Sequence, residues 1–102
     1  HQLRPLIERS PELRQVQRKY FDEMARMVMQ LLRDLGSNWP DRPLENLVSL
    51  MLELNTTTFR HMARQDKETA AETYRHWQTA ARALLEKCIE GPYEREQRAQ
   101  RR

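Results

Sequence analysis

The segment that most constrains the fold is Pro43–Gln65, PLENLVSLMLELNTTTFRHMARQ. Its first three turns are apolar on nearly every side of a helix, at Leu44, Leu47, Val48, Leu50, Met51, Leu52 and Leu54. A helix at the surface of a monomer keeps a polar face, whereas a helix that is apolar all round is buried on more than one side. Because a chain of 102 residues offers few elements to cover it, we expect a second subunit to help.

The apolar run ends at Asn55-Thr56-Thr57-Thr58, which are poor residues for a helix interior. Either the helix breaks there, or the polar side chains serve a site. Three interpretations of these side chains stay open: they orient a small ligand, they set the register of a dimer interface, or the threonines bond back to carbonyls one turn earlier.

The composition predicts a single all-α domain. Hydrophobic residues make up 38% of the chain and charged residues 32%, and only two glycines and little strand-type alternation are present. No run of about 18 apolar residues exists, and the first residues do not form a signal peptide, so we expect a cytoplasmic protein without a membrane segment. The single Cys88 fits a reducing compartment and is expected to be a small core residue.

The first of three long helices has clear boundary signals. Ser10 is the predicted N-cap, and Gly36 ends the helix. Its apolar positions recur at spacings of three and four as one stripe over about seven turns: Leu13, Val16, Tyr20, Met24, Met27, Val28, Leu31 and Leu35. Phe21, Met29 and Leu32 extend the apolar surface to a second side.

The second and third helices follow two turn regions. Asp41 is the predicted cap of the second helix, and Trp39 in the preceding loop is expected to fold back over the end of the bundle. Asp66 caps the third helix, which ends at Gly91-Pro92. The apolar stripe of the third helix is Ala70, Tyr74, Trp77, Ala81, Leu84 and Cys88, whose rhythm predicts a near-parallel packing partner.

The chain divides into three parts. Residues 1–9 are predicted to be the remnant of a preceding helix, 10–91 the helical domain and 92–102 a charged, flexible tail. The net charge is +3, of which the tail contributes +2 through four arginines and two glutamates. The domain itself is close to neutral and has no basic stripe with interleaved aromatic residues, so it is not expected to bind nucleic acid directly.

No motif predicts catalysis or a metal site. There is no Gly-x-Ser-x-Gly and no glycine-rich phosphate loop. His61 and His76 lie on different helices and belong to no Glu-x-x-His or His-Glu-x-x-His pattern. We therefore expect a protein that is not an enzyme and that carries neither a metal nor a cofactor.

The order of elements resembles the C-terminal half of TetR-type transcriptional repressors. The resemblance covers about Leu3 to Gly91 and rests on the segments ERSPELRQVQRKYFDEMARMVMQLLRDLG, PLENLVSLMLELNTTTFRHM and ETYRHWQTAARALLEKCIEGP. In that family the last two long helices of each subunit form a four-helix dimer interface, earlier helices enclose an effector pocket, and an N-terminal helix-turn-helix head binds DNA. The head has no counterpart in this sequence, so DNA would be bound only through a head that this chain does not contain.

The resemblance implies the effector-binding and dimerisation domain of a one-component bacterial regulator, working as a homodimer. The fold would consist of three long antiparallel helices plus an N-terminal helical remnant. Dimerisation would complete a four-helix interface to which each subunit contributes Leu44–Gln65 and Lys67–Glu90. A small apolar or amphipathic effector, acyl or aromatic, would contact Tyr20, Met24, Met27, Asn55, Thr58 and Phe59. The dimer interface would contain Leu47, Met51, Ala70, Tyr74, Trp77, Ala81 and Leu84. The alternative hypothesis is a helical protein–protein interaction or adaptor module with no small-molecule ligand.

Overall fold

The computed structural model describes residues 10–94 and Arg98, and all regular structure in this part of the chain is α-helical. The three long helices are α1 (Pro11–Asp34), α2 (Asp41–Met62) and α3 (Lys67–Glu90). Short loops join them, and α2 packs on both neighbours, so consecutive helices run antiparallel. The predicted all-α fold is confirmed. The predicted remnant at 1–9 and most of the predicted tail lie outside the described residues.

Three predicted helix boundaries are confirmed: the start and the end of α1 and the start of α3. Ser10 Oγ accepts a hydrogen bond from the Leu13 amide at 3.3 Å, and Asp66 accepts one from the Thr69 amide at 2.8 Å. Gly36 has a φ of +107°, a conformation that L side chains rarely adopt, and it ends α1. No described helix is apolar for long enough to span a bilayer.

The predicted cap of the second helix is wrong. Asp41 is the first helical residue of α2, and Pro40 occupies the cap position without a side-chain hydrogen bond. The reason is a competing partner: Arg33 binds the Asp41 carboxylate at 2.6 Å. The same guanidinium donates to the carbonyl oxygens of Ser37 and Trp39. Arg33 therefore fastens the loop between α1 and α2 at three points.

We expect Arg33→Met to destabilise the fold by about 1–3 kcal/mol, because it removes charged hydrogen bonds to two loop carbonyls. Chemical denaturation measures the loss. Arg26→Met is the matched control, since Arg26 is exposed on the same helix. Equal stability of the two variants would contradict the fastening role of Arg33.

The core lies at one end of the bundle. The buried apolar side chains among the described residues are Ala25, Leu32, Trp39, Leu44, Val48 and Cys88. They come from the second half of α1, the following loop, the first half of α2 and the last turns of α3. The predictions for Cys88 and Trp39 are confirmed, and Trp39 packs edge-on against Tyr93 with ring centroids 5.3 Å apart. The opposite end of the bundle contributes no side chain to this core.

Apart from Val28, which packs against the core cluster, the stripe predicted for the first helix does not face this core. Val16, Tyr20 and Met27 are 66%, 60% and 68% exposed. The second apolar side of α1 packs inward instead: Leu32 is buried, and Met29 packs against the core cluster. The physical reason is the arrangement of the helices, because α1 packs chiefly on α2 and has only slight contact with α3.

The cap of α3 makes the stability of the fold depend slightly on pH. Hydrogen bonds from the Thr69 amide and hydroxyl lower the pKa of Asp66 below its ordinary 3.8. The unfolded state then binds more protons than the folded state near this pH, so the contribution of the cap is present above about pH 4 and is lost as pH falls through the folded pKa.

We expect Asp66→Asn to remove this contribution to the pH dependence, because asparagine also caps helices but does not titrate. Urea unfolding at about pH 3 and about pH 5 measures the free energy of unfolding of the wild-type chain and of Asp66→Asn. The wild-type chain should lose more stability on acidification than Asp66→Asn. An identical loss in the two proteins would show that the Asp66 cap does not titrate as described.

Candidate functional site

An open groove lies between the second half of α2 and α3. It has a volume of about 390 Å³. Its lining consists of three aromatic rings with aliphatic and polar neighbours: Asn55, Phe59, Tyr74, Trp77, Gln78, Ala81, Arg82, Leu85, Glu86 and Ile89. We call this the aromatic groove. It runs along α3 from Tyr74 to Ile89, and its lining residues Leu85 and Ile89 also pack against the core cluster.

The helical spacing of α3 builds one wall of the groove. Tyr74, Trp77 and Ala81 follow one another at intervals of three and four and so share a face of the helix. Ala81 contributes only a methyl group between the larger Trp77 and Leu85, which leaves space beside α2. Arg82 and Glu86 are exposed, one turn apart, and give the groove a charged rim.

A hydrogen bond fixes the wall formed by α2. The Trp77 indole Nε1–H donates to Asn55 Oδ1 at 2.9 Å, between residues 22 positions apart in sequence. Nearby, the rings of Phe59 and Tyr74 lie with centroids 6.0 Å apart and planes inclined at 50°. These two contacts tie α2 to α3 and orient the aromatic rings.

The polar cluster after the apolar run does not break the helix, since α2 continues to Met62. Thr56 donates its hydroxyl hydrogen to the Leu52 carbonyl at 3.1 Å, which is the back-bonding interpretation for this residue. Asn55 is bound to Trp77 and lines the groove. Thr57 is exposed, whereas Thr58 is half-buried and is not part of the groove lining.

The structure divides the predicted ligand residues between two places. Asn55 and Phe59 line the aromatic groove. Tyr20 and Met27 are exposed on α1, and Met24 is half-buried there. None of these three α1 residues belongs to the groove lining.

The predicted interface residues are divided as well. Tyr74, Trp77 and Ala81 line the groove. The others are half-buried: Leu47, Met51, Ala70 and Leu84. Sequence reasoning missed the lining residues Leu85 and Ile89, although both follow Trp77 and Ala81 around the same side of α3 and could be found from helical spacing.

A second feature lies on the opposite side of α2. Leu44 and Val48 are fully buried, whereas Leu50 and Leu54 are 49% and 38% exposed. At 100° per residue, Leu50 and Leu54 lie on a side of α2 turned away from the core face, and the half-buried Leu47, which packs against the core cluster, borders them. We call Leu47, Leu50 and Leu54 the α2 stripe.

Two further grooves lie between α1 and α2, and charged side chains make up half or more of the lining residues of each. Within the described residues, no cluster of three or more His, Cys, Asp or Glu side chains could hold a metal ion. No family model, curated protein or solved structure matches this chain. The resemblance to TetR-type C-terminal domains stays a prediction from the sequence.

Proposed function

We propose that this chain is the dimerisation and ligand-sensing domain of a one-component transcriptional regulator of TetR type. The observation that carries the proposal is the pair of leucines, Leu50 and Leu54, exposed on the side of α2 that faces away from the core. Burying a leucine side chain stabilises an interface by about 1.5–3 kcal/mol when it starts fully exposed. A second copy of the chain supplies the same stripe through a twofold axis.

In the proposed dimer, the α2 stripe forms the centre of the interface. The half-buried Met51 lies one turn from both Leu47 and Leu54, and we also assign the half-buried Leu84 of α3 to the interface. Residues 10–91 contain twelve basic and twelve acidic side chains, so two copies do not repel each other through net charge. Tyr74, Trp77 and Ala81 are assigned to the aromatic groove, where they lie beside Asn55.

The proposed ligand is a small apolar or aromatic molecule in the aromatic groove. A volume of about 390 Å³ falls in the range of small-molecule sites. Aromatic and aliphatic side chains would contact the body of the ligand, and the Asn55 amide and Arg82 guanidinium would bind a polar end.

Ligand and partner would act on the same helix. Asn55 faces the groove, and the preceding residue, Leu54, belongs to the α2 stripe. A ligand that shifts α2 against α3 therefore changes the surface offered to the second subunit. In an intact regulator this coupling would select between two dimer arrangements with different spacing of the DNA-binding heads.

The ligand is tested by thermal-shift screening of acyl compounds and aromatic molecules, since a bound ligand raises the unfolding temperature by mass action. We expect a true ligand also to change Trp77 emission, and this change should vanish in Trp77→Phe because Trp39 is buried in the core. Ala81→Leu should fill the groove and abolish binding. Ala80→Leu is the matched control, since Ala80 is exposed and outside the lining.

The exposed stripe of α1 favours a second candidate function, a helical interaction module that binds a partner protein and no small molecule. The same screen separates the candidates. A compound that binds the wild-type chain and Ala80→Leu but not Ala81→Leu supports the sensing domain. A chain that dimerises but binds none of the compounds supports the interaction module.

A further inference from the structure

The exposed apolar face of α1 is continuous along the whole helix and its C-cap. We call it the α1 stripe: Leu13, Val16, Tyr20, Met24, Met27, Leu31 and Leu35. Met24 is half-buried, and the other six are 43–68% exposed. The stripe covers 22 residue steps, or about 33 Å of helix. An exposed apolar surface of this extent marks an interaction site more often than scattered single residues do.

The spacing of the α1 stripe defines the shape of its partner. The intervals are 3-4-4 and then 3-4-4 again, an 11-residue period. Because this period gives about 3.67 residues per turn, the stripe stays on one side of a nearly straight helix from end to end. The surface therefore fits another helix lying alongside α1 and offering its own apolar face, not a compact or branched ligand.

The charges beside the stripe indicate which helix fits. Glu12, Glu23 and Asp34 are exposed and repeat with the same 11-residue period along the edge away from the core. Lys19 and Arg26, each one turn from Glu23, are the basic residues near this edge. Glu23 lies one turn from both Tyr20 and Met27, so its carboxylate borders the middle of the stripe.

A second copy of α1 fits this edge poorly. In an antiparallel pair of identical helices, like edges meet, so Glu23 would face Glu23 of the other copy near the twofold axis, and like charges would repel. In a parallel pair, the acidic edge of one copy would meet the opposite edge of α1 in the other copy. That opposite edge packs toward the core of its own chain through Val28 and Leu32, so it is already covered.

We infer that the α1 stripe binds an amphipathic helix of a partner protein that has large aliphatic residues along one face and lysine or arginine along the adjoining edge. The inference rests on the interaction-module candidate. It uses a face of the molecule other than the α2 stripe, so failure of the peptide-binding tests leaves the proposed dimer unaffected, whereas a dimer held together by the α1 stripe would overturn both.

The test uses two fluorescent synthetic peptides of about 24 residues, with leucine at the 3-4-4 spacing and helix-forming residues elsewhere. The basic probe carries lysine along one edge, and the acidic probe carries glutamate at the same positions. Fluorescence anisotropy with the full chain should give a Kd about tenfold lower for the basic probe, because three exposed ion pairs replace three repulsions. The difference should shrink at high salt.

Variants separate docking on α1 from nonspecific attraction. The variant Val16→Glu/Met27→Glu should no longer bind the basic probe, although the variant keeps the helical circular dichroism of the wild-type chain. The control Gln15→Glu changes an exposed position on the other side of α1 and should bind the probe like the wild-type chain. Glu23→Lys should weaken the basic probe and strengthen the acidic one. Equal affinity for the two probes, or unchanged binding by the double variant, would overturn the inference. It would also be overturned if Val16→Glu/Met27→Glu dissolved a dimer that substitutions in the α2 stripe leave intact, because the occupant of the α1 stripe would then be a second copy.

Discussion

Leu50→Glu/Leu54→Glu is expected to sediment as a monomer at concentrations where the wild-type chain is a dimer. Each leucine is about half exposed in the single chain, so covering the rest stabilises the dimer by about 1 kcal/mol per side chain. Four such side chains meet across the twofold axis, which amounts to about 4 kcal/mol, or roughly a thousandfold in Kd. Repulsion between the introduced carboxylates adds to the effect.

The control for this variant is Ser49→Glu, which introduces one carboxylate at an exposed position of α2, in the groove between α1 and α2. It should leave the dimer intact. Circular dichroism and thermal unfolding establish that both variants keep the helical fold. A folded Leu50→Glu/Leu54→Glu protein that still dimerises with wild-type affinity would exclude the α2 stripe as the interface.

Leu44→Ala is expected to cost about 2–5 kcal/mol of stability. Leu44 is fully buried beside Val48, and few other described side chains are fully buried, so neighbouring residues cannot readily fill the cavity. Domains of this kind are stable by only about 5–15 kcal/mol in total. The substitution therefore removes a large part of the free energy of unfolding.

Urea denaturation measures this effect, with Leu31→Ala as the matched control. Leu31 is the same residue type within a described helix, but it is 56% exposed, so its replacement should cost no more than about 0.5 kcal/mol. Similar unfolding midpoints for the two variants would mean that the region around Leu44 is not the core of the protein.

Local signals in the sequence were sufficient to place the helices. Ser10 and Asp66 accept the hydrogen bonds expected of N-caps, and Gly36 has the positive φ expected after a helix. These features depend on residues within a few positions of one another. Asp41 was misassigned because its partner, Arg33, lies eight residues away on the preceding helix.

The packing of α1 could not be predicted from periodicity. Apolar residues cover two sides of this helix, and a repeating pattern shows which residues share a side without showing which side packs. The bundle buries the side containing Ala25 and Leu32 and leaves the longer stripe exposed. A larger apolar stripe is therefore not a reliable guide to the core when a helix has two apolar sides.

The candidate site could not be predicted from the sequence either, because tertiary contacts bring its residues together. The sequence marked Asn55 as unusual and offered three interpretations. Its partner, Trp77, lies on another helix, and the sequence did not show that the indole donates to Asn55 within the chain. Only the packing of α2 against α3 brings these two residues into one groove with Phe59 and Tyr74.

The central claim is that the apolar helix α2 is covered by its own core on one side and by a second subunit on the other. Sedimentation equilibrium of the unmodified chain tests it most directly. At micromolar concentrations we predict the mass of a homodimer, twice the 12.4 kDa of the single chain. A mass of one chain at every concentration up to the solubility limit would contradict it.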